Sequence, residues 1–192
     1  DASDDINNFL YFYWQGGFFG MKKRKIQTPK DLHISYMCEY IDDYHDICKY
    51  AKDLIQSGYK SKSLKKLSDI GGNKDIKNFD KNYSEFINEF HLSEITYENA
   101  GLTFLEILSK EFMEDKISID EYMENFYYLY YISNSGLQSK DFETNKIIRM
   151  INEVYKDYNI AVIRKNDLSS REYNEAVNIA HSKLNELLKN FF

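Results

Sequence analysis

The side chains with the clearest capacity for chemistry are Cys38, His45 and Cys48, with Asp42 or Asp46 nearby. Thiolate, imidazole and carboxylate are the ligand types of transition-metal sites. On one continuous helix, positions 38 and 45 would share a face and 48 would lie close to 45. Zinc patterns instead bring ligands as tight pairs across a turn, and this spacing matches none of them. The expectation is therefore no metal and no cofactor, with Cys38, His45 and Cys48 the candidate ligands should one exist. Ten residues of helix would separate the two thiols by roughly 15 Å, beyond the reach of a disulfide, so both are expected reduced, as in a cytoplasm. The histidines at 33, 45, 91 and 181 are scattered, and no nucleophile elbow, phosphate-binding loop or zinc-helix motif occurs. Gly71-Gly72-Asn73-Lys74 reads as a turn. No catalytic residue is expected, and a metal-dependent enzyme stands only as an alternative.

Charge is the second source of chemistry. The 192 residues carry 31 acids against 25 bases, a formal net charge of −6. Free nucleic acid is then a poor global partner, because phosphate binding needs a basic footprint. The acids are concentrated. Between 31 and 48 stand Asp31, Glu39, Asp42, Asp43 and Asp46 with no Lys or Arg; between 106 and 124 stand seven acids and two lysines. The second window runs into the tyrosine-rich stretch 122–131. Helical phase turns Tyr122, Phe126 and Leu129 inward and leaves Tyr127, Tyr128 and Tyr131 partly outward. Outward tyrosines beside acids suit a protein interface, since a rigid ring contributes area and a hydroxyl. Glu114, Asp115, Asp120, Glu121, Glu124, Tyr127, Tyr128 and Tyr131 are accordingly the candidate partner-binding residues. The basic counterparts are Lys60, Lys62, Lys65 and Lys66 on a short helix and a second cluster, Lys22 to Lys25; the short helix supports a nucleic-acid-binding regulator as the alternative function.

Helices must position these groups. One proline and eight glycines in the whole chain argue against a loop-rich or sandwich architecture. Thr28-Pro29 opens a helix, and apolar residues from Leu32 to Ile55 recur at three- and four-residue steps, predicting one long helix that Gly58 stops. Ser61 caps a short helix ended by Gly71-Gly72. Asp80 or Asn82 opens another, and Thr96 caps one over 97–115. Ser118 to Glu121 is a capping box that starts a helix to about 134, with Gly136 ending the turn. A helix over 141–155 and a last one capped by the box Ser169 to Glu172 complete the set. Residues 160–163 are the one plausible extended piece, and they lack a partner strand. A further helix over 3–14 would end at Gly16-Gly17, unless residues 1–20 are a leader or foreign segment preceding the start-like Met21-Lys22-Lys23-Arg24-Lys25. The fold class is all-α: an irregular bundle or array of seven to eight helices in a single domain over 1–192, with a subdivision, if any, near 93–100. The best apolar run, 126–132, is far too short to span a membrane.

Two segments resemble known groups. Residues 51–70, with a helix ending in Gly58-Tyr59-Lys60-Ser61 and then Leu64 and Leu67, resemble an uncharacterised family of small helical bacterial proteins. The content of that motif is a helix stop, a serine cap and a packed turn. Residues 102–190 resemble the colicin D immunity family, around Leu108-Ser109-Lys110-Glu111-Phe112-Met113-Glu114-Asp115-Lys116-Ile117-Ser118-Ile119-Asp120-Glu121-Tyr122. A later part, 157–187, also fits its acidic loop and final amphipathic helix. The resemblance implies a small, acidic, helical bacterial protein that binds a cognate toxin nuclease and blocks it, with carboxylates standing in for nucleic-acid phosphates. It covers under half the chain and identifies no toxin-contact residue. The expectation is a cytoplasmic immunity or inhibitor-like protein, monomer or homodimer, with a protein partner and no membrane.

Overall fold

A computed structural model describes residues 26–41, 43–70, 76–133, 137 and 139–192. The helices expected over 3–14, the Met21 to Lys25 cluster, Asp42, the 71–74 turn and Gly136 lie outside the described residues. Those described form eight α-helices and no strand: α1 Pro29–Met37, α2 Tyr44–Gln56, α3 Lys62–Asp69, α4 Phe79–Glu89, α5 Ala100–Met113, α6 Ile119–Tyr127, α7 Phe142–Ile163 and α8 Ser170–Lys189. A 3-10 turn, Ile76–Asn78, precedes α4, and a π-helical turn, Tyr128–Ile132, continues from α6. The all-α expectation holds. The chain divides into two compact units. The first takes its described residues from 24–107 and 128–138, the second from 108–127 and 139–192. The division falls inside continuous helical stretches at 107–108 and 127–128, and not in the 93–100 connection.

Most helix starts follow capping residues; α4 instead begins at Phe79 behind Asn78, which makes no side-chain cap, and not on the expected Asp80 or Asn82, and α5 begins at Ala100 rather than at 97. Thr28 Oγ1 accepts from Asp31 N at 3.1 Å while Asp31 Oδ2 accepts from Thr28 N, a reciprocal box in front of Pro29. Ser61 caps α3 through Leu64 N at 3.0 Å. Ser118 with Glu121, and Ser169 with Glu172, close the other two boxes. Asp141 accepts from Thr144 N at 2.7 Å. Each cap satisfies amides that the helix cannot bond itself.

The stops are less conventional. Four helices end in the same motif, in which one left-handed residue lets the next amide reach back five residues. Gly58, at φ 114°, does this after α2, with Tyr59 N on Leu54 O at 3.2 Å. Glu39 (φ 63°), His91 (φ 54°) and Asp115 (φ 55°) do it after α1, α4 and α5. The matching bonds are Tyr40 N to Ser35 O, Leu92 N to Ile87 O and Lys116 N to Glu111 O, at 2.8–3.0 Å. The Glu39 stop overturns the long helix expected from Thr28 to Ile55: α1 ends at Met37, and α2 starts afresh on an Asp43 cap. A carboxylate side chain signals no break in sequence. Residues 160–163 are likewise helical, as the end of α7, because the apolar stripe Ile151, Val154, Tyr155, Tyr158, Ala161 continues in phase past Tyr155.

In the first unit α2 packs on α3 and α3 on α4. Leu32, Ile47, Leu54, Leu64, Leu67 and Phe86 form its dry centre, with Phe79 stacked on Tyr83 at 5.5 Å. In the second unit α7 packs along α8, burying Ile148, Ile151, Leu184 and Leu188. Phe112 of α5 meets Tyr122 of α6 and His181 of α8 at ring distances of 5.4 and 4.8 Å. Tyr122 is fully buried, and its hydroxyl pairs with the equally buried Ser109 Oγ at 3.0 Å. Burial pushes the Tyr122 phenol above its usual range, so it remains a neutral hydrogen-bonding group.

The stops make opposite-sign predictions. Gly58→Ala meets no atom within 4 Å, so its cost is conformational alone, about 1–2 kcal/mol of stability lost. His91→Gly relieves a left-handed side chain and is expected to raise stability by up to about 1 kcal/mol. Urea unfolding at constant m-value measures both.

Candidate functional site

The acidic hairpin of the second unit is built around the turn between α5 and α6. Asp115 supplies the left-handed stop on one side, and the Ser118–Glu121 box supplies the start on the other. Glu114, Asp115, Asp120 and Glu124 are exposed; Glu121 is half-buried because its carboxylate accepts from Ser118 N at 3.0 Å. Lys116 pairs with Glu114, which holds the ammonium above its usual range. Asp120 accepts the hydroxyl of Tyr158 from α7. Burial first, and then this bond to a carboxylate, push the Tyr158 phenol well above its usual range. Tyr158 is thus a fixed donor that orients Asp120. Glu124 lies one helical turn beyond Asp120, so the two present their carboxylates on one side of α6.

The tyrosines divide. Tyr127 belongs to the same unit and is half-buried, stacked on Tyr155 at 5.9 Å. Tyr128 and Tyr131 belong to the first unit. The outward placement expected of Tyr128 is corrected: it is 8% exposed, packs against Tyr40 at 4.0 Å and donates to Glu39 O at 2.7 Å. The physical reason is tertiary: the end of α1 covers this side of the helix, with Tyr40 against the ring and Glu39 O on the hydroxyl, and a π turn begins there, closed by Ser133 N on Tyr128 O at 2.8 Å. A π turn accommodates an extra residue and shifts the phase of everything after it. Tyr131 remains outward, 44% exposed.

The metal candidates do not share a helix. Cys38 lies beyond the end of α1, while His45 and Cys48 are on α2. Both thiols are buried and in no disulfide, and the His45 ring lies tilted against Tyr44 at 4.3 Å. Among the described residues no group of three or more His, Cys, Asp or Glu side chains is placed to hold an ion. On α3, Lys62, Lys65 and Lys66 are exposed, but acids of α4 stand against them. Glu85 pairs with Lys66, and Glu89 accepts from Ser63 N at 3.0 Å, a bond that holds its carboxyl below the usual range.

Sequence reading missed two positioning groups. Tyr158 is the in-phase continuation of Ile151 and Tyr155, and following that stripe one turn further would have found it. His33 is 1% exposed and bonded to Tyr83 OH and Ile95 O, at separations of 50 and 62 residues that leave no local signal. Among the described residues no helix is long and apolar enough to cross a membrane.

Tyr158→Phe removes the donor to Asp120 while keeping the ring. A bond to a charged group that is also solvated is worth about 1 kcal/mol, so urea unfolding should show a loss of that order. A stability unchanged within error would mean that Tyr158 does not hold Asp120. Compared with protein-family models, with curated proteins and with solved structures, the chain finds no match.

Proposed function

We propose that this chain is a bacterial immunity or inhibitor-like protein that binds a cognate toxin and covers its basic, nucleic-acid-binding surface. The observation that carries this reading is the fixed acidic hairpin. Glu114, Asp115, Asp120 and Glu124 are exposed on a turn held by a left-handed stop, a capping box and the Tyr158 hydroxyl. The Asp120 carboxylate, already held by Tyr158, loses little side-chain freedom on binding, so less of its attraction is cancelled by ordering. Acids around one turn also steer a basic partner during encounter. Tyr127, half-buried and stacked beside them, adds an aromatic edge with a hydroxyl. The resemblance of residues 102–190 to the colicin D immunity family supports a nuclease as the toxin, with these carboxylates in the place of phosphates. Reduced, buried Cys38 and Cys48 suit the cytoplasm in which such a protein would act.

The test is binding to the product of the neighbouring gene. Co-expression should relieve that product's toxicity, and purified components should associate with a rate that falls as salt rises. Combining Glu114→Gln with Glu124→Gln should slow association by about tenfold while changing dissociation little. A neighbouring product that is harmless and does not bind would overturn the reading. Tight binding indifferent to salt and to both substitutions would move the interface away from this hairpin.

A further inference from the structure

His33 is a buried imidazole whose two nitrogens are both engaged, and the Ile95 carbonyl fixes the tautomer of its neutral form. Nε2 lies 2.9 Å from the carbonyl of Ile95, which can only accept, so Nε2 carries the proton. Nδ1 is then the acceptor for the hydroxyl of Tyr83, at 2.8 Å. Three parts of the first unit meet at this ring: α1 through His33 itself, α4 through Tyr83, and the connection between α4 and α5 through Ile95. The arrangement suits only the neutral imidazole. A second proton on Nδ1 would face the Tyr83 hydroxyl, which must then turn its own hydrogen elsewhere. Tyr83 is 6% exposed and lies among Phe79, Phe86 and Tyr36, of which the two phenylalanine rings offer that hydrogen no oxygen or nitrogen acceptor. The titratable and charged groups on the surrounding elements do not compensate. From α4 the ring meets the Tyr83 phenol, with the Tyr36 phenol of α1 behind it. Asp31, on α1, is committed to Thr28 N and Gln27 N. Glu94 and Glu98 of the connection are exposed to solvent.

We infer that His33 is a proton-operated latch that joins α1, α4 and the 90–99 connection at neutral pH and loosens them in mild acid. Burial holds the imidazole below its ordinary range, so between the unfolded and folded values the open form binds more protons. Stability from the latch is therefore complete above about pH 6.5 and lost as pH falls below it.

The experiment is hydrogen exchange on the intact chain at pH 7.5 and 5.5, corrected for the intrinsic pH dependence of exchange. Protection in α1, α4 and residues 90–99 should fall by up to about tenfold at pH 5.5, the limit for one proton over one unit. Peptides from α7 and α8 serve as the internal comparison and should change less. His33→Gln can donate to Ile95 O and accept from Tyr83 without titrating, so it should abolish the differential fall. Should that variant fail to fold, the imidazole resonances of the wild-type chain decide. The His33 imidazole should titrate below the ordinary histidine range, and its protonation should track the loss of protection. Equal protection at both pH values, an undiminished fall in the Gln variant, or a His33 titration with no change in protection would overturn the latch.

Discussion

A helical chain this poor in glycine and proline must end its helices without the usual breakers, and that constraint organises the rest. Every helix end leaves carbonyls that need donors. Here left-handed Glu39, His91 and Asp115 repeat what Gly58 does, accepting a conformational cost so that the next amide can close the turn. At the end of α1 side chains from far along the chain join in. Ser133 Oγ donates to Cys38 O at 3.1 Å and Tyr128 donates to Glu39 O. The π turn exists where those two donors are delivered, so the end of one helix and the distortion of another are one feature.

This explains which parts of the fold were legible. The starts at Thr28, Ser61, Ser118, Asp141 and Ser169 were, because these residues carry their capping chemistry in residue type and act on amides three positions away, whereas those at Asp43, Phe79 and Ala100 were not. The stop at Gly58 was legible as well, but that at Glu39 was not, because its left-handed conformation goes with tertiary contacts that the local sequence does not state. The error then propagated: a helix drawn through residues 38–43 placed Cys38, His45 and Cys48 on one surface. The inward place of Tyr128 has the same character, since the groups that cover it, Tyr40 and Glu39 O, come from about 90 residues earlier.

The candidate surface was legible in charge but not in duty. Counting acids between 106 and 124 located the hairpin, yet residue type alone could not separate Glu121, which caps its own helix, from Asp120, which Tyr158 orients. The two roles reinforce each other: carboxylates spent on capping and bridging hold the turn in which exposed carboxylates are displayed. A structural acid and a recognition acid are neighbours here because a shared turn serves both.

The reach of Tyr128 and Ser133 back to residues 38 and 39 also sets an order of assembly during synthesis. A chain emerging from its N-terminus presents α1 to α4 long before residue 133 leaves the ribosome. Local helix pairing among α2, α3 and α4 can proceed early, because its contacts are close in sequence. Completion of α1's end cannot, since its donors arrive about 90 residues later, after the 108–127 stretch of the other unit has been made. The two units are therefore interleaved in time as well as in sequence. The unit that holds α1 to α4 is not finished until the 108–127 part of the other already exists.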